Sequence, residues 1–347
     1  MADQPARDAL TVTRVRFERA NGQLAIGAQA PSISWTTETS TRDWRQAAYE
    51  IDVTSHDGAA IWSSGRVASD QSVFVPWGGQ PLASRQRCVA RVRVWGAGGS
   101  SSPWSEPAQL EAGLLDASDW AARFVGPAWD EDPSSMRRCP MLRHEFAARD
   151  RIERARLYVT SLGVYEVEIN GERAGDHVLA PGWTSYDHRL RYQAFDVTPL
   201  LREGANAIGA MLGDGWYRGR IGFGAGNRNI YGERLALLAQ LEIAYADGST
   251  QVIATDASWR AAPSPIVSTG IYEGEEYDAR LEQAGWSSAG FDDATWSPVR
   301  IVEHDMRTLF APIGPPVRRV ELVPVREVTR SPSGKTILDF GQNLVGR

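Results

Sequence analysis

Alternation with a period of two, and the near absence of a helical period, constrains this chain more than any other feature. In residues 234–245, Leu235, Leu237, Ala239, Leu241, Ile243 and Tyr245 occupy every second position, one face of a half-buried strand. Asp247-Gly248 and a second apolar run at residues 251–255 make this a hairpin. Tyr165, Val167 and Ile169 alternate with Glu166 and Glu168 and lead into Asn170-Gly171, a type I′ turn pair. One turn of helix at residues 198–202 is the only contrary signal. The pattern predicts an all-β protein.

Its 347 residues exceed one ordinary domain. The 42 % apolar and 23 % charged composition suits packed cores rather than disorder. Residues 1–116 form a first unit, in which Ile33-Ser-Trp35, residues 49–53 and residues 88–95 are short strands between polar turns. An early core tryptophan, a Tyr-x-Ile-x-Val strand and a late Val-x-Val strand resemble a fibronectin type III sandwich. Residues 117–310 carry enough strands and turns for a larger, jelly-roll-like β-sandwich. Beyond the linker Pro312-Ile-Gly-Pro-Pro316, residues 311–347 read as the first strands of a third, incomplete β-domain, with strand-like runs at 317–328 and 335–338.

Composition excludes several functions. A formal net charge of −6 gives no electrostatic reason to expect nucleic acid or an anionic membrane as partner. No apolar run is long enough for a transmembrane helix, and the first residues lack an apolar signal core, so a cytoplasmic location is expected. Cys88 and Cys139 are too few for a disulfide scaffold or a cysteine-rich zinc site, and Cys88 falls in a buried-strand pattern. The five histidines show no metal-ligand spacing. The only lysine, Lys335, lies outside any Walker pattern, and the glycine-rich run at 213–226 follows a strand without opening a helix. That run reads as a long loop at a sandwich rim, where Asp214, Arg218 or Arg220 would meet a neighbouring domain.

The densest stretches are Gly175-Asp-His-Val-Leu-Ala-Pro-Gly-Trp-Thr-Ser-Tyr-Asp187, Tyr192-Gln-Ala-Phe-Asp-Val-Thr198 and Gly213-Asp-Gly-Trp-Tyr-Arg-Gly-Arg220. Ile271-Tyr-Glu-Gly-Glu-Glu-Tyr-Asp-Ala-Arg280 and Gly285-Trp-Ser with Phe291-Asp-Asp-Ala-Thr-Trp296 follow. In this order they resemble the N-terminal β-sandwich domain of bacterial α-L-rhamnosidases. Asp339-Phe-Gly-Gln-Asn343 resembles the start of the domain that follows it there, and the type III-like module commonly precedes it.

The resemblance implies a non-catalytic N-terminal region of a glycoside hydrolase that releases terminal α-L-rhamnose. The acid and base of that family are carboxylates in an (α/α)₆ barrel downstream, so no catalytic residue is carried over. It implies two partners: rhamnose-containing glycosides and that catalytic barrel. Some such domains bind rhamnose through calcium at an Asp-Asn pair before a Leu-Ala-Pro-Gly-Trp-like segment. Asp176 keeps the Asp; His177 replaces the Asn with a nitrogen ligand that calcium disfavours, so no cofactor is expected and Asp176 is the one candidate calcium ligand. Asn227 and Asn229 offer further sugar contacts, or alternatively sit in left-handed turns. Trp183 and Trp216, in glycine-rich loops, offer stacking faces, whereas Trp35, Trp286 and Trp296 read as core.

Two other functions compete. One is a free-standing, lectin-like rhamnose-binding module. The other is a small complete glycosidase built on Glu276 and Asp278, which on a strand would share a face about 7 Å apart, within the spacing for inversion. The same acids read more simply as an Asp278–Arg280 pair beside a solvent-facing Glu275.

Overall fold

The structure, a computed structural model, describes residues 10–18, 24–224 and 226–344; residues 1–9 and 345–347, the outer ends of the first and last expected segments, lie outside them. It is built almost wholly of strands, and no described helix is long and apolar enough to cross a membrane.

The first unit pairs a four-stranded antiparallel sheet with a hairpin. The sheet runs Ala60–Ser63, Gln46–Ser55, Arg87–Gly96, Ala108–Glu111; the hairpin is Thr11–Phe17 with Ile33–Glu38. Alternate side chains from the two, Phe17, Ile33, Trp35, Ile51, Val53, Val92 and Val94 among them, close one core. Trp35 is buried as expected. Its indole donates to Gln46 Oε1 at 3.1 Å, and its ring meets Tyr49 edge-on at 5.3 Å. Burial raises the Cys88 thiol pKa, as suits a structural cysteine.

The second unit is a larger sandwich. One layer pairs Val164–Ile169, Gly204–Gly213, Pro140–Ala148 and Arg260–Pro263; the other pairs Val125–Pro127, Ala236–Tyr245, Ile152–Leu162 and Gln193–Asp196. Ser297–Ile301 joins them: Ser297 and Pro298 pair with one layer, Val299 to Ile301 with the other. One strand that changes sheets is the usual way to turn such a corner. Asn170 and Gly171 both have positive φ, 54° and 84°, the geometry expected of the tight turn.

Three local expectations change. Ala236–Tyr245 is buried on both faces, because residues 119–122 and Arg85 cover its even positions, including Gln240 and Glu242. The glycine-rich run does contain one helical turn, Gly215–Arg218. The strand expected across residues 317–328 shrinks to an isolated bridge at Arg318 and the hairpin Glu327–Arg330 with Thr336–Asp339.

The two units meet over a charged seam. Arg85 holds Glu242 through two bonds of 2.7 Å and Asp119 at 2.8 Å. Buried Glu111, from the small sheet, accepts from Arg154 and Arg156 of the large one at 3.0–3.2 Å. Close packing completes it: the Tyr192 hydroxyl donates to the Leu114 carbonyl, and a Cβ on Gly113 would lie 2.2 Å from the Tyr192 hydroxyl oxygen.

Candidate functional site

Gly175 sets up the candidate loop. Its φ is +78°, and an added Cβ would lie 2.3 Å from the Phe195 ring, so no other residue fits. The chain then turns outward and leaves the Asp176 side chain 65 % exposed. His177 turns inward and packs edge-on against Phe195 at 4.9 Å. Burial, reinforced by nearby Arg318, lowers the imidazole pKa and favours its neutral form. The His177 carbonyl accepts from Arg173 at 2.6 Å.

What lies against this loop was invisible in the sequence. The segment after the proline-rich linker passes over it: Val178 N–H donates to Val317 O at 2.9 Å, and His177 bridges to Arg318. Arg318 Nε stands 3.3 Å from Asp176 Oδ1, and its Nη2 is 3.4 Å from His177 Nε2. Calcium takes six to eight oxygens. Here one carboxylate, a ring nitrogen and a guanidinium meet. No three His, Cys, Asp or Glu among the described residues gather into a metal-holding group. These residues do not fit a calcium ion.

Trp183 and Trp216 come together as a second group. Their rings are 3° from parallel with centroids 6.2 Å apart, Trp183 being half exposed. Trp183 Nε1 donates to the Tyr231 hydroxyl at 3.1 Å, and Tyr231 rests on buried Tyr186 at 4.9 Å. The platform is therefore fixed in orientation. No hydrogen bond, ion pair or ring contact joins it to Asp176 among the described residues. Trp286 and Trp296 are buried and stacked on each other, as core residues.

Asn229 takes the alternative reading. Its φ is +58°, its carbonyl accepts from Arg137 and its amide donates to Pro133 O at 2.9 Å, so its polar groups are engaged within the fold. Asn227 pairs through its backbone with Ile221. Asp214 and Arg218 do not face a neighbour; both are buried and bonded to each other, with Glu131 on Arg218 Nη1 at 2.7 Å. Burial, opposed by the arginines around it, raises the Asp214 pKa.

The Glu276/Asp278 pair is not one strand face. Glu276 lies in Gly274–Tyr277, whereas Asp278 follows it, caps the turn Ala279–Leu281 and clasps Arg280 at 2.6–2.8 Å. Arg318, Tyr231 and Arg137 were missed in the sequence because each reaches its partner from a distant strand or loop, and no local spacing marks such contacts; Arg173, only four residues from the His177 carbonyl it bonds, was missed although it lies close by.

A small antiparallel β-sandwich joined to a larger one through a charged seam defines a class of two-domain β protein. Residues 12–116 match the family model of the Rha78A-like N-terminal immunoglobulin domain, and residues 150–321 that of the alpha-L-rhamnosidase N-terminal domain. The chain carries the paired N-terminal domains of the α-L-rhamnosidases. A crystal structure of an α-L-rhamnosidase from Aspergillus terreus superimposes with a TM-score of 0.92 at 45 % identity, covering 97 % of this chain and 39 % of that one. The Streptomyces avermitilis α-L-rhamnosidase complexed with L-rhamnose gives 0.88 at 30 % identity, covering 97 % and 49 %. An α-L-rhamnosidase from Alteromonas sp. is 34 % identical over 331 residues, which is 91 % of this chain and 36 % of that protein. The chain thus spans half or less of the length of the relatives it matches.

Proposed function

We propose that this chain acts as the non-catalytic N-terminal region of an α-L-rhamnosidase, supporting a catalytic (α/α)₆ barrel and binding rhamnosides at Asp176. The observation that carries this reading is the 97 % coverage of this chain by a 45 % identical α-L-rhamnosidase two and a half times its length. Two features add support. Val317, Val320, Leu322, Val328 and Leu338 form an exposed apolar run in the trailing segment, a surface that a further β-domain would cover. Asp176, held outward by Gly175, can accept from two adjacent sugar hydroxyls.

The test has two arms. Incubated with an aryl α-L-rhamnoside, the 347-residue chain is expected to release no phenol; turnover that disappears in Glu276→Gln would instead favour a self-contained glycosidase. Titrated with L-rhamnose, it is expected to bind in the millimolar range, about −4 kcal/mol. Asp176→Ala is expected to abolish that binding and shift the melting temperature by less than about 2 °C, because an exposed ion pair contributes little to the fold. Unchanged affinity in Asp176→Ala would remove the site.

A further inference from the structure

We propose that Arg318 is the resident cation of the Asp176 site, and that the Asp176–Arg318 pair is a metal-free clamp for the vicinal diol of a pyranose. The inference rests on the reading of Asp176 as a sugar anchor.

Three observations support it. First, the position where a divalent ion would neutralise Asp176 is already taken by a guanidinium 3.3 Å away. A calcium ion bound about 2.4 Å from the same carboxylate would face that positive charge at close range. Second, the pair is open. Asp176 is 65 % and Arg318 49 % exposed, and their shortest approach, 3.3 Å, is long for a charge-assisted bond. Such exposed pairs are only weakly held, so a ligand can enter between them. Third, the backbone holds the arginine in place: Val178 N–H to Val317 O and the His177–Arg318 bridge fix its Cα beside the loop.

The chemistry is complementary. A carboxylate only accepts and a guanidinium only donates. One hydroxyl of a vicinal diol donates to Asp176 while the neighbouring oxygen accepts from Arg318.

The experiment is a calorimetric titration of the full chain with L-rhamnose, with and without EDTA, repeated on Arg318→Gln and Arg318→Lys. The expected result is wild-type binding unchanged by EDTA, a loss of at least tenfold in Arg318→Gln, and a smaller loss in Arg318→Lys at an unchanged melting temperature. Binding that vanishes with EDTA and returns with calcium would overturn the clamp while leaving Asp176 as anchor. Equal or tighter binding in both arginine variants would show that Arg318 merely covers the carboxylate, and would overturn it as well. If the wild-type chain fails to bind L-rhamnose under any condition, the sugar-site reading falls and the clamp with it.

Discussion

At the scale of single residues, the decisive groups are arginines rather than the aromatic residues that dominate the sequence motifs. Arg143 is 1 % exposed, yet its guanidinium holds the Trp286 carbonyl at 2.8 Å, the Ser288 carbonyl at 3.1 Å, and the carboxylates of Glu145 and Asp293. It thereby pins residues 285–293 onto the strand Pro140–Ala148. Arg143→Ala is expected to cost about 3–5 kcal/mol, since it strands two carboxylates and two carbonyls. A thermal melt reads this directly, and a drop of under 2 °C would contradict it. Titration offers a second check at the same scale. Burial lowers the pKa of His144, His177 and His304 below the ordinary histidine value. Their unfolded forms therefore bind protons at a higher pH than the folded ones, so stability is present above about pH 6.5 and is lost as pH falls below it. The melting temperature should decline between pH 7 and pH 5.5; a flat or rising profile would show that these rings are solvated. Asp176, His177 and Trp183 were singled out in the sequence because they share one compact motif, and Trp216 because it sits in a second, glycine-rich one. Arg318 was not, being 141 positions from His177 in the chain.

At the scale of elements, the strands were legible wherever one face met solvent, because alternation writes itself into the sequence only then. Residues 164–169 show it, and there the tight turn also follows from Asn170-Gly171. Ala236–Tyr245 hides half of its environment: Glu242 accepts from Arg85 across the domain seam, and Gln240 bonds residues 119–122 that cover the strand. The rim loop at residues 219–231 is a different case, since its glycines forecast a loop but not what holds it. Glu273 accepts from Arg220 at 2.9 Å and from Arg228 at 2.8 Å, and Arg137 holds Asn229. These arginines lower the Glu273 carboxyl pKa against the opposing effect of burial. Glu273→Gln should release one side of the loop. Faster amide exchange across residues 219–231 is expected, with the melting temperature within about 2 °C of wild type, because the partly exposed pairs contribute little to global stability. Unchanged exchange would mean that the Arg137–Asn229 contact alone fixes the loop.

At the scale of the whole molecule, two cores suggest two independent folding units, and the seam argues against independence. Glu111 is the point to test. It belongs to the small sheet, is 5 % exposed, and is the acceptor for Arg154 and Arg156, with Arg87 a further 3.8 Å contact. Removing it leaves three guanidinium groups facing one another across the junction, a repulsion in a partly desolvated place that Asp196, 3.0 Å from Arg156, and Glu153 near Arg87 offset only in part. Arg85 with Glu242 and Asp119 would still join the units. Glu111→Ala is therefore expected to lose about 2–3 kcal/mol and to split one cooperative melting transition into two, the small sandwich unfolding first because its core is the smaller of the two. Added salt should narrow the gap between variant and wild type, since screening weakens the repulsion that the variant introduces. A single transition at the wild-type temperature would show that the apolar contacts at Leu114 and Tyr192, rather than the ion cluster, weld the two sandwiches together.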